Sequence, residues 1–168
     1  MHVDHVGWNT RWVDGRWQPT FPRAQYLFAE DEWHHWRQEA QEYGPVIEDS
    51  VQPIFDAGQA VIVAQQHQVT DEVSLQPTPG HTPGHVSVRI QSRGEVAIIT
   101  GDMIHHPCQI AHPQWSTLAD TDPRAAAQTR GDFLQRYSDQ PVLVIGTHFA
   151  APTAGHIVKD GNSYRLDY

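Results

Sequence analysis

From Ala60 onward the chain alternates short apolar runs with polar, glycine-rich breaks. Ala60 to Ala64 is a continuous apolar run, the pattern of a short buried strand. Glu72 to Gln76 predicts the next strand. Val86, Val88 and Ile90 alternate with Ser87 and Arg89, the period of a half-buried strand. Ser92-Arg93-Gly94 then turns the chain into a strand over Glu95 to Thr100. Pro141 to Ile145 is apolar throughout and is the best candidate for a central strand. Ile157-Val158 and Tyr164 to Leu166 flank Asp160-Gly161, a hairpin signal.

Before Ala60 the pattern is more helical. Residues 6–23 read as an aromatic-rich loop, and Ala24 to Ala29 as a short strand. Asp31 to Tyr43 predicts a helix with an acidic start, Trp33, Trp36, Ala40 and Tyr43 on one face, and Gly44 and Pro45 as its stop. Val46 to Ala57 predicts a second, irregular helix interrupted by Pro53. Residues 103–120 read as a long, partly helical loop. Thr121 or Asp122 then caps a helix with Pro123 in its first position, and Ala126, Phe133, Leu134 and Tyr137 form its apolar stripe. This largely antiparallel mixture of strands and helices predicts an α/β (α+β) layered sandwich, one domain over residues 1–168.

Composition narrows the function. A net charge of −9 argues against nucleic-acid binding by counterion release and against an anionic membrane surface. No run approaches the roughly 18 apolar residues of a membrane span. Cys108 is the single cysteine, which excludes an internal disulfide. A cytoplasmic location and a small-molecule substrate are the expectations. Twelve histidines are many for a chain of this length, and their spacing points to metal chemistry.

Four stretches carry that chemistry: Met1-His2-Val3-Asp4-His5, Gly80-His81-Thr82-Pro83-Gly84-His85, Thr100-Gly101-Asp102-Met103 and Gly146-Thr147-His148-Phe149. His81, Asp102 and His148 each follow the end of a predicted strand, a common way to gather distant residues into one site. Imidazole and carboxylate together suit zinc, and also iron, manganese or cobalt. His2, Asp4, His5, His81, Asp102 and His148 are too many ligands for one catalytic ion, which takes three and a water. A carboxylate has two oxygens, so Asp102 is able to bridge a pair of ions.

In this order, the four motifs resemble the ligand set of the metallo-β-lactamase-fold hydrolases, whose first motif is His-x-His-x-Asp-His. The resemblance runs over essentially the whole chain, as the later part of a metallo-β-lactamase-type αββα sandwich. It implies a first histidine upstream of Met1, with the first strands of the N-terminal half missing. It assigns His2 and His81 to one ion, Asp4, His5 and His148 to the second, and the bridge to Asp102. His85 is then a structural or supporting residue. The ending Pro152-Thr153-Ala154-Gly155-His156 is similar to the methyl parathion hydrolase and lactonase branch. The implied activity is binuclear metal-dependent hydrolysis. A metal-bridging hydroxide attacks a neutral ester, lactone or phosphotriester, and Asp4 or Asp102 shuttles the proton.

The resemblance sets other branches aside. Antibiotic-hydrolysing members do not normally have histidine where His5 stands. Glyoxalase II carries a helical domain after the last ligand, and nucleic-acid-processing members insert an extra domain for which this chain has no room. Three competing expectations remain: a chain truncated by a misplaced start, a degenerate copy that binds metal partially or dimerises to cover an exposed face, and a mononuclear iron oxygenase of the same fold. His34, His35 and His67 read as surface or packing residues, and Cys108 as an ordinary small one. Trp8, Trp12, Trp17 and Phe21 suit either an apolar pocket wall or core packing. His105, His106 and His112, just after Asp102, are within reach of a substrate in sequence terms.

Overall fold

The computed structural model describes residues 1–38 and 44–168, which cluster into two compact units, Met1–Ala64 and Gln65–Tyr168. The first unit opens with a one-turn helix, α1 (Val3–Val6), and a 3₁₀ turn at Gly7–Asn9. Strands β1 (Thr10–Val13) and β2 (Arg16–Pro19) then form a hairpin where a loop was expected. Two residues, Asp14 and Gly15, make its turn, with φ of 50° and 78°. Asp-Gly between β-prone aromatics is a hairpin signal in its own right, and Trp12 pairs directly with Trp17 across the ladder.

Strand β3 (Tyr26–Ala29) pairs in parallel with β4 (Ala60–Val63), close to both predicted spans. Between them lie α2 (Glu30–Trp36), a π-helical turn at Ile47–Val51, and α3 (Gln52–Asp56). The expected irregular second helix is thus a π turn running into an α turn. Pro53 sits in the first turn of α3, where its missing N–H is not needed. Residues 39–43, the last part of the helix predicted from Asp31, lie outside the described residues. Phe28, Val51 and Ile54 form the buried centre of this unit, with Trp33 and Phe55 stacked beside it.

The second unit is built on one six-stranded sheet in the order β10-β9-β8-β7-β6-β5. Its strands are β5 (Val73–Pro77), β6 (Val86–Ser92), β7 (Glu95–Ile99), β8 (Val142–Ile145), β9 (Ala154–Asp160) and β10 (Ser163–Asp167). All neighbours are antiparallel except β7 and β8. The link between those two is a right place for a crossover, and it carries α4 (Cys108–Ala111) and the long helix α5 (Pro123–Tyr137).

Asp122 caps α5 as expected, accepting hydrogen bonds from the N–H groups of Arg124 and Ala125, with Pro123 first in the helix. Phe133, Leu134 and Tyr137 of α5 pack with Ile98, Val144, Ile157 and Leu166 of the sheet in one apolar cluster. Strand β6 forms over the alternating stretch expected to be half-buried. Ser87 is the fully buried residue, whereas Val86, Val88 and Ile90 are half-buried. The Ser87 hydroxyl donates to the Thr100 carbonyl, so its burial carries no unpaired polar group.

Candidate metal centre

Strands β5, β7 and β8 all run in the same direction, because two antiparallel steps separate β5 from β7 and β8 is parallel to β7. Their C-terminal ends therefore share one edge of the sheet. His81 follows β5, Asp102 follows β7 and His148 follows β8. Topology alone brings these three expected residues together.

Each loop is fixed by close packing. A Cβ at Gly80 would lie 2.2 Å from the Ala126 backbone nitrogen, so only glycine lets the His81 loop rest on the start of α5. That contact is sealed by Thr121 N–H donating to the His81 carbonyl (2.8 Å) and Asp122 N–H to the Gly80 carbonyl (3.0 Å). At Gly146 a Cβ would meet the Phe149 ring at 2.2 Å. The buried Phe149 ring thus folds over the backbone and sets the turn that presents His148.

The side chains converge on Asp102. Its Oδ2 lies 3.2 Å from His81 Nε2, and its Oδ1 lies 3.0 Å from His148 Nε2. One carboxylate oxygen serves each imidazole. The Asp102 backbone N–H donates to His85 Nε2 at 3.0 Å. His85 therefore carries its proton on Nδ1, where it faces the Thr78 carbonyl at 3.1 Å and the Thr78 hydroxyl at 2.8 Å. His85 thus holds the backbone of Asp102, the supporting place expected of it.

His2, Asp4 and His5 belong to the first unit, on and just before α1. His5 Nε2 lies 3.6 Å from Asp4 Oδ2, and the His2 ring meets Trp36 edge-on with centroids 5.0 Å apart.

Three residues of the second unit were not read from the sequence as site residues, or only as neighbours of it. Asp120 is buried, and its Oδ1 accepts from His81 Nδ1 at 3.0 Å. Arg130 is completely buried in mid-helix. Its guanidinium donates to the carbonyls of Met103, Pro113 and Trp115, to the Ser116 hydroxyl, and to Asp120 Oδ2 at 3.5 Å. His105 stacks on His148 with ring centroids 5.2 Å apart and lies 5.0 Å from the His81 ring. The other two histidines of that loop go elsewhere: His106 is exposed, and His112 stacks on Trp115.

The electrostatics follow from this packing. Burial opposes charge on His81, but the hydrogen bonds to Asp102 and Asp120 outweigh it and raise its pKa from 6.5 to about 9. In the metal-free chain a proton on His81 sits between two carboxylates, and a divalent cation would displace it. Burial likewise works against the Asp120 charge. His81, the Thr117 N–H and Arg130 prevail and hold its pKa below the usual value. Burial lowers the pKa of His105 against the pull of Asp102, which keeps that ring neutral.

The donor set fits a divalent metal. Asp102, His105 and His148 each bring one ligand atom within 4.8 Å of the others. Neutral imidazole nitrogens with carboxylate oxygens are the donors zinc and its neighbours take. Nδ1 of His105 is buried without a hydrogen-bond partner, an orphan of the kind a cation or a substrate would satisfy.

Comparison with known proteins places this architecture. The chain is similar in structure to AidC, a dizinc quorum-quenching lactonase solved with a product, at 21% identity and a TM-score of 0.75, over 89% of this chain and 56% of that one. It is similar to the hydrolase AbOPH of the β-lactamase superfamily at 24% identity and a TM-score of 0.82, over 98% and 60% of the two chains. An N-acyl homoserine lactone hydrolase with its product bound at the catalytic metal centre matches at 19% identity and a TM-score of 0.57, over 75% and 47%. The chain thus spans less than two thirds of the length of these solved structures. No curated protein sequence matches it. The family model of the metallo-β-lactamase superfamily matches residues 1–148. With that match, and with the mixed α/β fold the motifs led us to expect, the chain belongs to the metallo-β-lactamase superfamily.

Proposed function

We propose that this chain carries the metal centre of a hydrolase that holds two divalent ions, zinc before iron, manganese or cobalt, and acts on a neutral lactone, ester or phosphotriester. The observation that carries the reading is the Asp102 carboxylate, which turns one oxygen to His81 and the other to His148. A carboxylate that only capped a helix would not divide its oxygens between two imidazoles on different loops. His81, His148 and Asp102 would then be among the residues that hold the ions. His2, Asp4 and His5 enter as further ligands on the strength of their sequence motif. Divalent ions in such a centre supply Lewis acidity and water that ionises near pH 7.

The chain's own groups do the rest. Asp102, held by His85 at its backbone, and Asp4 are the carboxylates assigned to take up and pass on the proton. Arg130, the fully buried cation of the second unit, is engaged with five oxygens and unavailable to an anionic substrate. That engagement and the −9 charge support a neutral substrate. Among neutral substrates a lactone ranks first, since AidC is a dizinc lactonase and a second similar structure holds the product of an acyl homoserine lactone at its metal centre.

Elemental analysis with a kinetic panel of lactones, aryl esters and phosphotriesters tests the proposal. The expected result is two metal equivalents per chain and turnover of at least one neutral class, lost on chelation and regained on adding zinc. Metal content below one equivalent, or turnover of anionic substrates alone, overturns it.

A further inference from the structure

We propose that Asp120 is the positioning residue of the metal centre: it fixes the tautomer and ring orientation of His81, and Arg130 holds it in place to do so. The inference rests on the reading of His81 as a metal ligand. A carboxylate only accepts, so the 3.0 Å contact between Asp120 Oδ1 and His81 Nδ1 requires the proton on Nδ1. That leaves Nε2, the nitrogen facing Asp102, as the atom able to offer a lone pair. A carboxylate behind a ligating imidazole also raises its basicity, and such partners typically change metal affinity by about 10–100-fold.

Asp120 is not itself placed to be a ligand. Its Oδ1 is taken by His81, and its Oδ2 faces the Thr117 N–H at 3.3 Å and Arg130 at 3.5 Å. The side chains of Asp120 and Arg130 are both fully buried, so neither has water as an alternative partner. Arg130 adds a second function through its backbone contacts. By binding the carbonyls of Met103, Pro113 and Trp115 it draws the loop after Asp102 onto α5. The same guanidinium therefore ties the Asp102 loop and the His81 partner to one rigid helix.

The test is a spectrophotometric Co²⁺ titration of the full chain and its variants, with circular dichroism to confirm that each is folded. Asp120→Asn keeps the shape and an acceptor oxygen but loses the charge, and is expected to weaken Co²⁺ binding about 10-fold. Asp120→Ala is expected to weaken it by about 100-fold. Leu134→Ala destabilises the same helix without touching Asp120, and is expected to leave the affinity within about twofold, because cavity formation costs stability rather than ligand orientation. A folded Asp120→Asn chain with native affinity overturns the proposal. So does a Leu134→Ala chain that binds as poorly as Asp120→Ala, since the effect would then be one of stability. If the native chain takes up no Co²⁺, the reading of His81 as a ligand falls first and this proposal with it.

Discussion

Among the described residues, the candidate ligands of the first unit and the His81–Asp102 pair of the second differ in their local setting. His2, Asp4 and His5 stand at a single helical turn, with the Asp4 side chain 54% and that of His5 37% exposed. His81 and Asp102 stand on loops past strand ends, 2% and 7% exposed, within a shell of buried partners. A four-residue helix has no cooperative stability of its own, so its side chains are only as well placed as their surroundings make them. The second group is over-determined: His85 holds the Asp102 backbone, Asp120 holds the His81 ring, and Arg130 holds Asp120. Rigidity at a metal centre comes from such supporting contacts more than from the ligands themselves.

The largest expected effect separates the two groups directly. Asp102→Ala removes the carboxylate shared by His81 and His148, and is expected to abolish binding of at least one metal equivalent and to lower turnover by more than about 100-fold. Asp4→Ala removes a carboxylate whose side chain is 54% exposed, and is expected to lower turnover with a smaller change in the thermal midpoint of the metal-free chain than Asp102→Ala gives. Elemental analysis and a melt of both variants check this. Equal losses of metal and stability in the two variants would erase the contrast.

Next in size is Arg130→Met. It leaves Asp120 with His81 as its remaining cationic partner and strips three carbonyls of this donor, and breaking a buried pair in this way costs about 3–5 kcal/mol. Urea unfolding should show a lower midpoint, with the loss well above that of a surface substitution. The two apolar centres offer a third comparison. Ile54→Ala in the first unit and Leu134→Ala in the second each empty a fully buried site, at about 2–5 kcal/mol. Hydrogen exchange should place the damage differently. Ile54→Ala is expected to reduce protection in β3 and β4 more than in β7 and β8, and Leu134→Ala the reverse.

Much of the second unit was legible because its strands are short apolar runs bounded by turn residues, and the ligand candidates stand at their ends. The aromatic hairpin of the first unit was read as a loop, since four Trp and Phe residues among Gly and Pro mask the alternation, although Asp14-Gly15 marks its turn. Asp120 and Arg130 were missed for a different reason. Their roles exist only after the loop from Asp102 has folded back onto α5, a long-range contact that local pattern does not contain. A signal was nonetheless present. Ala126, Arg130, Phe133 and Tyr137 recur at helical spacing, so Arg130 falls on the apolar stripe. A cation on such a stripe needs a buried anion. Asp120 was the acidic residue left over once Asp122 had been assigned the cap.

The smallest effect we expect lies at that cap. Asp122 accepts from two N–H groups of the first turn of α5, at 3.0 Å each, and its side chain is exposed. Asp122→Ala should cost about 1 kcal/mol, the usual worth of an N-cap, because water replaces part of what is lost. Asp120 is two residues away and differs in being buried and bound to His81. If the supporting network is what distinguishes the second group of side chains, Asp122→Ala should lower the urea midpoint slightly and leave Co²⁺ affinity unchanged. A loss of affinity comparable to that of Asp120→Asn would mean that the helix start as a whole, rather than the Asp120 carboxylate, positions His81.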